Sequence, residues 1–144
     1  MKAPPAYIHN ASAVAEAFGY WPSFHDAPVR GFQYEPDGGG LIRFVLRCWE
    51  TTGEVDERGY FRSTKHHLVE FLFRGITEPD LERFTSMGNI LDILEFAAEE
   101  EFEATGTFRV GLESAMGGDL CGSFRARSGE VVSVRACDQD GRIL

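Results

Sequence analysis

The adjacent pair His25-Asp26 is the most conspicuous chemically capable feature of this chain. An imidazole beside a carboxylate can serve as a general base, or the two can ligate a metal. Adjacent residues of an extended segment point to opposite faces. The spacing therefore favours an alternative in which both side chains satisfy backbone groups of a buried aromatic loop. His66-His67 invites a metal reading and meets the same objection. With His9 and His25, the four histidines show no HxH or HxxxH spacing. There is no G-x-S-x-G and no Walker motif, and Gly38-Gly39-Gly40 lacks a following helix N-terminus and lysine. The run Glu99-Glu100-Glu101-Phe102-Glu103 lacks the Asp/Asn/Gly spacing of a calcium loop. A solvated charge run or a charged edge strand remain its alternatives. No catalytic residue, metal or cofactor is assigned, and the chain is expected not to be an enzyme.

The elements that would hold these residues belong to a chain of 144 residues with a formal net charge of -9. That length fits one domain, residues 1–144, able to bury an ordinary core. A chain this acidic is repelled by phosphate backbones and anionic membranes, so neither nucleic acid nor membrane is an expected partner. A basic protein partner, or solubility alone, fits the charge. Between Arg83 and Arg109 there are six acids and no Lys or Arg: Asp92, Glu95, Glu99, Glu100, Glu101 and Glu103. These and the smaller group Glu54, Asp56 and Glu57 are the candidate partner-binding acids. Only Lys2 and Lys65 are lysines, an arginine bias that fits a GC-rich bacterial gene. Cys48, Cys121 and Cys137 are odd in number and widely spaced, which implies free thiols in a reducing compartment. With no signal-peptide pattern and no apolar run of membrane-spanning length, a cytoplasmic location is expected.

Residues 10–18 predict one short helix, capped by Asn10 or Ser12 and closed by Gly19. The following aromatic segment carries Pro22 and Pro28 and cannot be helical. Period-two alternation then predicts strands over 30–35 and 41–49, joined through the turn 36–40. Residues 50–62 are expected to be a polar, mobile loop. A strand over 65–75 follows, with His67, Val69, Phe71 and Phe73 on one face. Glu78-Pro79-Asp80 marks a turn or a short helical start. Residues 90–97 are ambiguous: Ile90, Ile93, Leu94 and Ala97 fit a helix and Ile90, Leu94 and Phe96 fit a strand less cleanly, while Gly88-Asn89 before them and the sheet-like flanks favour the strand. Three further strands are expected over 107–113, 120–127 and 131–137, joined by Gly117-Gly118-Asp119 and by a tight turn at Ser128-Gly129. Their inward candidates are Phe108, Val110, Leu112, Leu120, Phe124, Val132 and Val134; Arg109, Arg125, Arg127 and Arg135 face out. The fold class is α+β, a short N-terminal helix followed by a mainly antiparallel, meandering sheet of about six or seven strands.

The string Phe18-Gly19-Tyr20-Trp21-Pro22-Ser23-Phe24-His25-Asp26-Ala27 resembles the N-terminal signature of the immunity protein 50 family, small bacterial proteins associated with polymorphic toxin systems. It covers about ten residues. The family pattern carries an acidic residue where Pro28 stands here. The resemblance implies an antitoxin role, in which the chain binds a cognate toxin domain and blocks it without catalysis. It makes Trp21, Pro22, Ser23, Phe24, His25 and Asp26 motif residues, either structural or in contact with the toxin. Two other readings stay open: a small enzyme or ligand-binding domain using His25 and Asp26, and a structural module forming a homodimer.

Overall fold

Alternating runs of Phe, Val, Leu and Ile make most of this chain into strands, and the computed structural model describes residues 3–82, 89–115 and 120–144. In chain order the elements are β1 (Ile8–His9), α1 (Ser12–Phe18), β2 (Val29–Glu35), β3 (Leu41–Val55), β4 (Phe61–Arg74), β5 (Thr77–Glu82), β6 (Leu91–Phe96), α2 (Glu99–Thr105), β7 (Phe108–Ser114), β8 (Cys121–Ala126) and β9 (Ser128–Ala136). The class is α+β and the pairing antiparallel throughout, except where β1 runs parallel to β9. Instead of one meander there are two sheets, ordered β1-β9-β4-β3-β2 and β5-β8-β7-β6.

One apolar cluster fills the space between them. Ile42, Phe44 and Leu46 of β3, Val69, Phe71 and Phe73 of β4, and Phe108, Val110, Leu112 and Phe124 of the second sheet are all buried. Aromatic rings link the layers: Phe73 lies 5.2 Å from Phe124 and 6.2 Å from Phe108, centroid to centroid. α1 closes one end with Val14 and Phe18. Its expected side-chain cap is absent. Ala11 occupies the N-cap, and Asn10, at φ 62, instead donates from Nδ2 to the carbonyl of Val131 at 3.1 Å. The polar side chain anchors the chain to β9, a contact distant in sequence. Gly19 closes the helix as expected, with φ 86 and its N–H on Ala15 O at 2.7 Å.

Further expectations are overturned. Residues 50–62 are not a loop: β3 and β4 continue as a paired arm to Val55 and Phe61. Thr51, Thr52, Val55, Tyr60 and Phe61 supply the β-branched and aromatic content that the charge count hid. Glu78-Pro79-Asp80 lies inside β5, an edge strand, where a proline lacking its N–H is tolerated. The edge-strand option for 99–103 also fails, because these residues form α2, with three glutamates in its first turn where the helix dipole favours them.

Ser128-Gly129, finally, is no turn. β8 runs through Arg127 into β9 and crosses from one sheet to the other. Gly129 is needed there for close approach, since a Cβ would meet Ile8 Cδ1 at 2.8 Å and Phe73 Cδ1 at 2.9 Å. The same strand bulges opposite Glu70 and Phe71, which buries Val131 and turns Val132 outward, 43% exposed, against its expected inward place. Arg125 is also less outward than expected, with its side chain 20% exposed. The Gly117-Gly118-Asp119 connection lies outside the described residues.

Candidate functional site

The motif segment occupies the corner where the two sheets meet. Trp21 and Phe24 turn inward and are buried, edge to face at 5.2 Å; Phe24 meets Phe71 at 5.7 Å and Trp21 meets Phe96 at 6.1 Å. The backbone then bends sharply, with Phe24 at φ 60 and Asp26 at φ 65, left-handed values that side-chain-bearing residues seldom adopt. The bend lets the loop pair with the start of β6. Asp26 N–H donates to Leu91 O at 2.8 Å, Leu91 N–H to Ala27 O at 3.0 Å, and Val29 N–H to Asn89 O at 2.8 Å. Pro28 sits in this clasp as the bridge partner of Ile90. Ser23 Oγ accepts the N–H of His25 at 3.3 Å and shapes the turn.

His25 and Asp26 do not serve the buried loop as the extended-chain argument expected. The left-handed turn brings them together on the surface. His25 Nε2 stands 3.5 Å from Asp26 Oδ1, and Nδ1 stands 3.1 Å from Asp92 Oδ1 and 3.1 Å from Asp92 O. The imidazole pKa is raised above its ordinary 6.5, first by the hydrogen bond to the Asp92 carbonyl and then by the Asp26 charge. Beside this trio a cleft of about 420 Å³ runs between the motif loop and β3, lined by Tyr20, Trp49 and Glu50 among others. Among the described hydrogen bonds Ser23 Oγ engages the backbone N–H of His25 and not its imidazole. Among the described residues no group of three or more His, Cys, Asp or Glu is placed to hold a metal. His66 and His67 point apart, as neighbours in a strand do: His67 lies 5.3 Å from the Phe18 ring and His66 stacks on Trp49 at 6.2 Å. The three cysteines are free thiols, and Cys48 and Cys137 are buried.

The nine candidate acids separate into two groups. Glu54, Asp56 and Glu57 lie at the tip of the β3–β4 arm. Asp56 is engaged there, its Oδ1 accepting the N–H groups of Arg58 at 2.9 Å and Tyr60 at 3.0 Å. Asp92 and Glu95 stand on β6, and Glu99, Glu100, Glu101 and Glu103 on α2. Three of these are also engaged: Asp92 Oδ1 with His25 as above, Glu99 Oε1 accepting Ala6 N–H at 2.9 Å, and Glu101 Oε1 accepting from Arg125 Nη1 at 2.9 Å. Glu95, Glu100 and Glu103 are exposed.

Sequence spacing missed their nearest charged neighbours. On the face of the second sheet that points away from the core, Asp80 and Glu113 join Glu95 around a shallow depression of about 270 Å³, floored by Gly111 and Ser123, with the Arg109 guanidinium lying over Gly111 among them. Asp80 comes from a segment taken for a turn, and Glu113 is a lone acid in an apolar strand. Only the register, Ile93 opposite Glu113 and Asp80 opposite Ser123, brings them to one face. No helix among the described residues is long and apolar enough to cross a membrane. Comparison with protein-family models, curated proteins and solved structures gives no match to this chain.

Proposed function

We propose that this chain is a non-catalytic binding protein that neutralises a basic protein partner, in the manner of an immunity protein acting on a cognate bacterial toxin domain. The supporting observation is the placement of charge. β5, β6, α2, β7 and β8 together carry ten acids (Glu78, Asp80, Glu82, Asp92, Glu95, Glu99, Glu100, Glu101, Glu103, Glu113) against Arg109 and Arg125. The other sheet is close to balanced. The second sheet and α2 thus hold most of the net charge, and charge concentrated in one part of the molecule steers a basic partner and accelerates encounter. The signature of residues 18–27 is the second support. Its buried half is structural, and its exposed half, His25 and Asp26, borders the acidic strand β6. A bacterial, cytoplasmic setting belongs to this same proposal.

The test is co-expression of a candidate toxin domain from the neighbouring gene with this protein, scored by cell survival. The triple variant Glu95→Lys, Glu100→Lys, Glu103→Lys changes acids that make no described intramolecular contact, so its fold should persist. Association slowed about tenfold at low salt, with rescue weakened, is the expected result. Full rescue with unchanged kinetics would remove the acidic face from the reading.

A second reading has one observation in its favour, the imidazole held between two carboxylates beside the 420 Å³ cleft. A ligand-binding or catalytic role would make His25 indispensable. Rescue that survives His25→Ala in a folded variant decides for the binding protein.

A further inference from the structure

β6 is the last strand of its sheet among the described residues, and none of them pairs with part of its outer edge. The ladder with β7 shows which part. Ala97 N–H donates to Arg109 O at 3.1 Å, and the register pairs Phe96 with Val110, Glu95 with Gly111 and Leu94 with Leu112. Hydrogen-bonded and non-bonded pairs alternate in an antiparallel ladder. Ile93 and Glu95 therefore direct their backbone groups into β7, while Leu94 and Phe96 direct theirs away from it. Nearer the start of the strand, Leu91 spends its outward groups on Asp26 and Ala27, and the Asp92 carbonyl meets His25. The motif loop thus acts as a short neighbouring strand and then leaves β6 at the left-handed residues Asp26 and Phe24. No described residue pairs with the outward groups of Leu94 and Phe96.

A groove of about 400 Å³ lies along that stretch, between β6 and Trp21, Pro22 and Ser23. Its inner side is apolar, with Trp21 against Phe96. Its outer rim carries Glu95, with Asp92 and Asp26 at the end where the loop departs. An exposed edge of N–H and C=O groups is a template for another strand, and addition of an extended segment to such an edge is a common mode of peptide recognition. The carboxylates set the choice of occupant. A second copy of this chain would bring Glu95 and Asp92 against their own kind, whereas a basic segment meets opposite charge.

We infer that the edge of β6 from Leu94 to Phe96 accepts, by strand addition, an extended segment of a protein partner in which basic and apolar residues alternate. The apolar side chains enter the groove beside Trp21, and the basic ones lie along Glu95. Residues opposite Leu94 and Phe96 exchange backbone hydrogen bonds with them. This names the contact mode of the binding protein proposed above and rests on that reading.

The probe is an acetylated, amidated hexapeptide of alternating Arg and Val, titrated into the full chain and followed by residue-resolved amide exchange. The Leu94 and Phe96 amides should exchange fast in the free protein and slow by about tenfold or more at saturation, while the Ile93 and Glu95 amides, already bonded to β7, stay as they were. N-methylation of the three valines should abolish the protection, and N-methylation of the three arginines should leave it. Replacing Arg by Glu in the peptide, or Glu95→Lys in the protein, should weaken binding about fivefold or more. No protection of Leu94 and Phe96 at millimolar peptide, or protection indifferent to valine N-methylation, would overturn strand addition. The toxin separates the two proposals. Rescue by a toxin complex that leaves both amides unprotected keeps the immunity reading and overturns this one; peptide protection without any rescue does the reverse.

Discussion

Two histidines of this chain sit in opposite surroundings, and their titrations should differ in sign. His25 is exposed and faces the Asp92 carbonyl and two carboxylates, which raise its pKa. His66 lies in the base of the arm against Trp49, where burial first and then the Arg47 charge lower its pKa. Its Nε2 is paired with Ser63 Oγ at 3.0 Å. In proton-resonance titrations of the folded protein, His25 should turn over above 6.5 and His66 below it. Asp92→Asn keeps the carbonyl that acts most on His25, so it should lower the His25 midpoint only partly. A midpoint for His25 at or below that of His66 would contradict the geometry. For stability, the raised group favours the fold below 6.5, and that contribution is lost as pH climbs through the folded His25 value. The lowered group works the other way: its contribution is present above 6.5 and lost as pH falls through the folded His66 value. Both contributions are present around 6.5, so together they favour the fold most there and less to either side, and solvent screening keeps the His25 part small.

At the scale of elements, α2 shows how short helices depend on their surroundings. Seven residues are too few to be helical alone. α2 is held by Phe102 on Tyr7 and Phe108, by Glu99 on the N–H of Ala6, and by the Glu101–Arg125 pair. Arg125 also meets Thr107 Oγ1 at 2.9 Å, so one guanidinium joins β8, α2 and the connection to β7. Arg125→Ala should cost about 1–3 kcal/mol, as loss of charge-assisted bonds to a partly buried group does. Amide exchange in α2 should rise more than in β4; equal increases would mean the helix is held otherwise. Gly122→Ala is the matching test for β5, since the added Cβ would stand 1.9 Å from Asp80 O. It should detach β5 from β8 and lower the melting temperature, with β3 and β4 little changed. These dependences explain what the sequence could and could not disclose. Period two exposed β2, β7 and the body of β3 and β4, because each has one apolar face, whereas the apolar positions of β6 fitted a helix as well and only its flanks favoured a strand. The arm, β5 and α2 were missed because a partner distant in the chain stabilises each: β4 for the arm, β8 for β5, Tyr7 and Arg125 for α2. The motif string was visible, whereas the convergence of His25 with Asp92 depends on two left-handed residues that no periodicity announces.

Over the whole molecule, the separation of charge sets stability against association. β2, β3, β4 and β9 carry seven bases and five acids, while β5 to β8 with α2 carry ten acids and two bases. Repulsion is therefore concentrated within one sheet and its helix. It is strongest at low ionic strength, where the Debye length is about 30 Å at 0.01 M, and is largely screened near 1 M, where it falls to about 3 Å. Neutralising Glu95, Glu100 and Glu103 together, each to Gln, removes exposed charges worth a few tenths of a kcal/mol apiece. At low salt the triple variant should melt about 2–4 °C higher than the parent, and the gain should vanish at high salt. The same substitutions take away the field that draws a basic partner, so association should slow while the protein becomes more stable. Thermal scans and stopped-flow association, each at two salt concentrations, read both effects on one variant. Opposite signs at low salt and convergence at high salt are what a face kept acidic for binding requires. A variant that associates as fast as the parent while melting higher would leave solubility as the whole use of that charge.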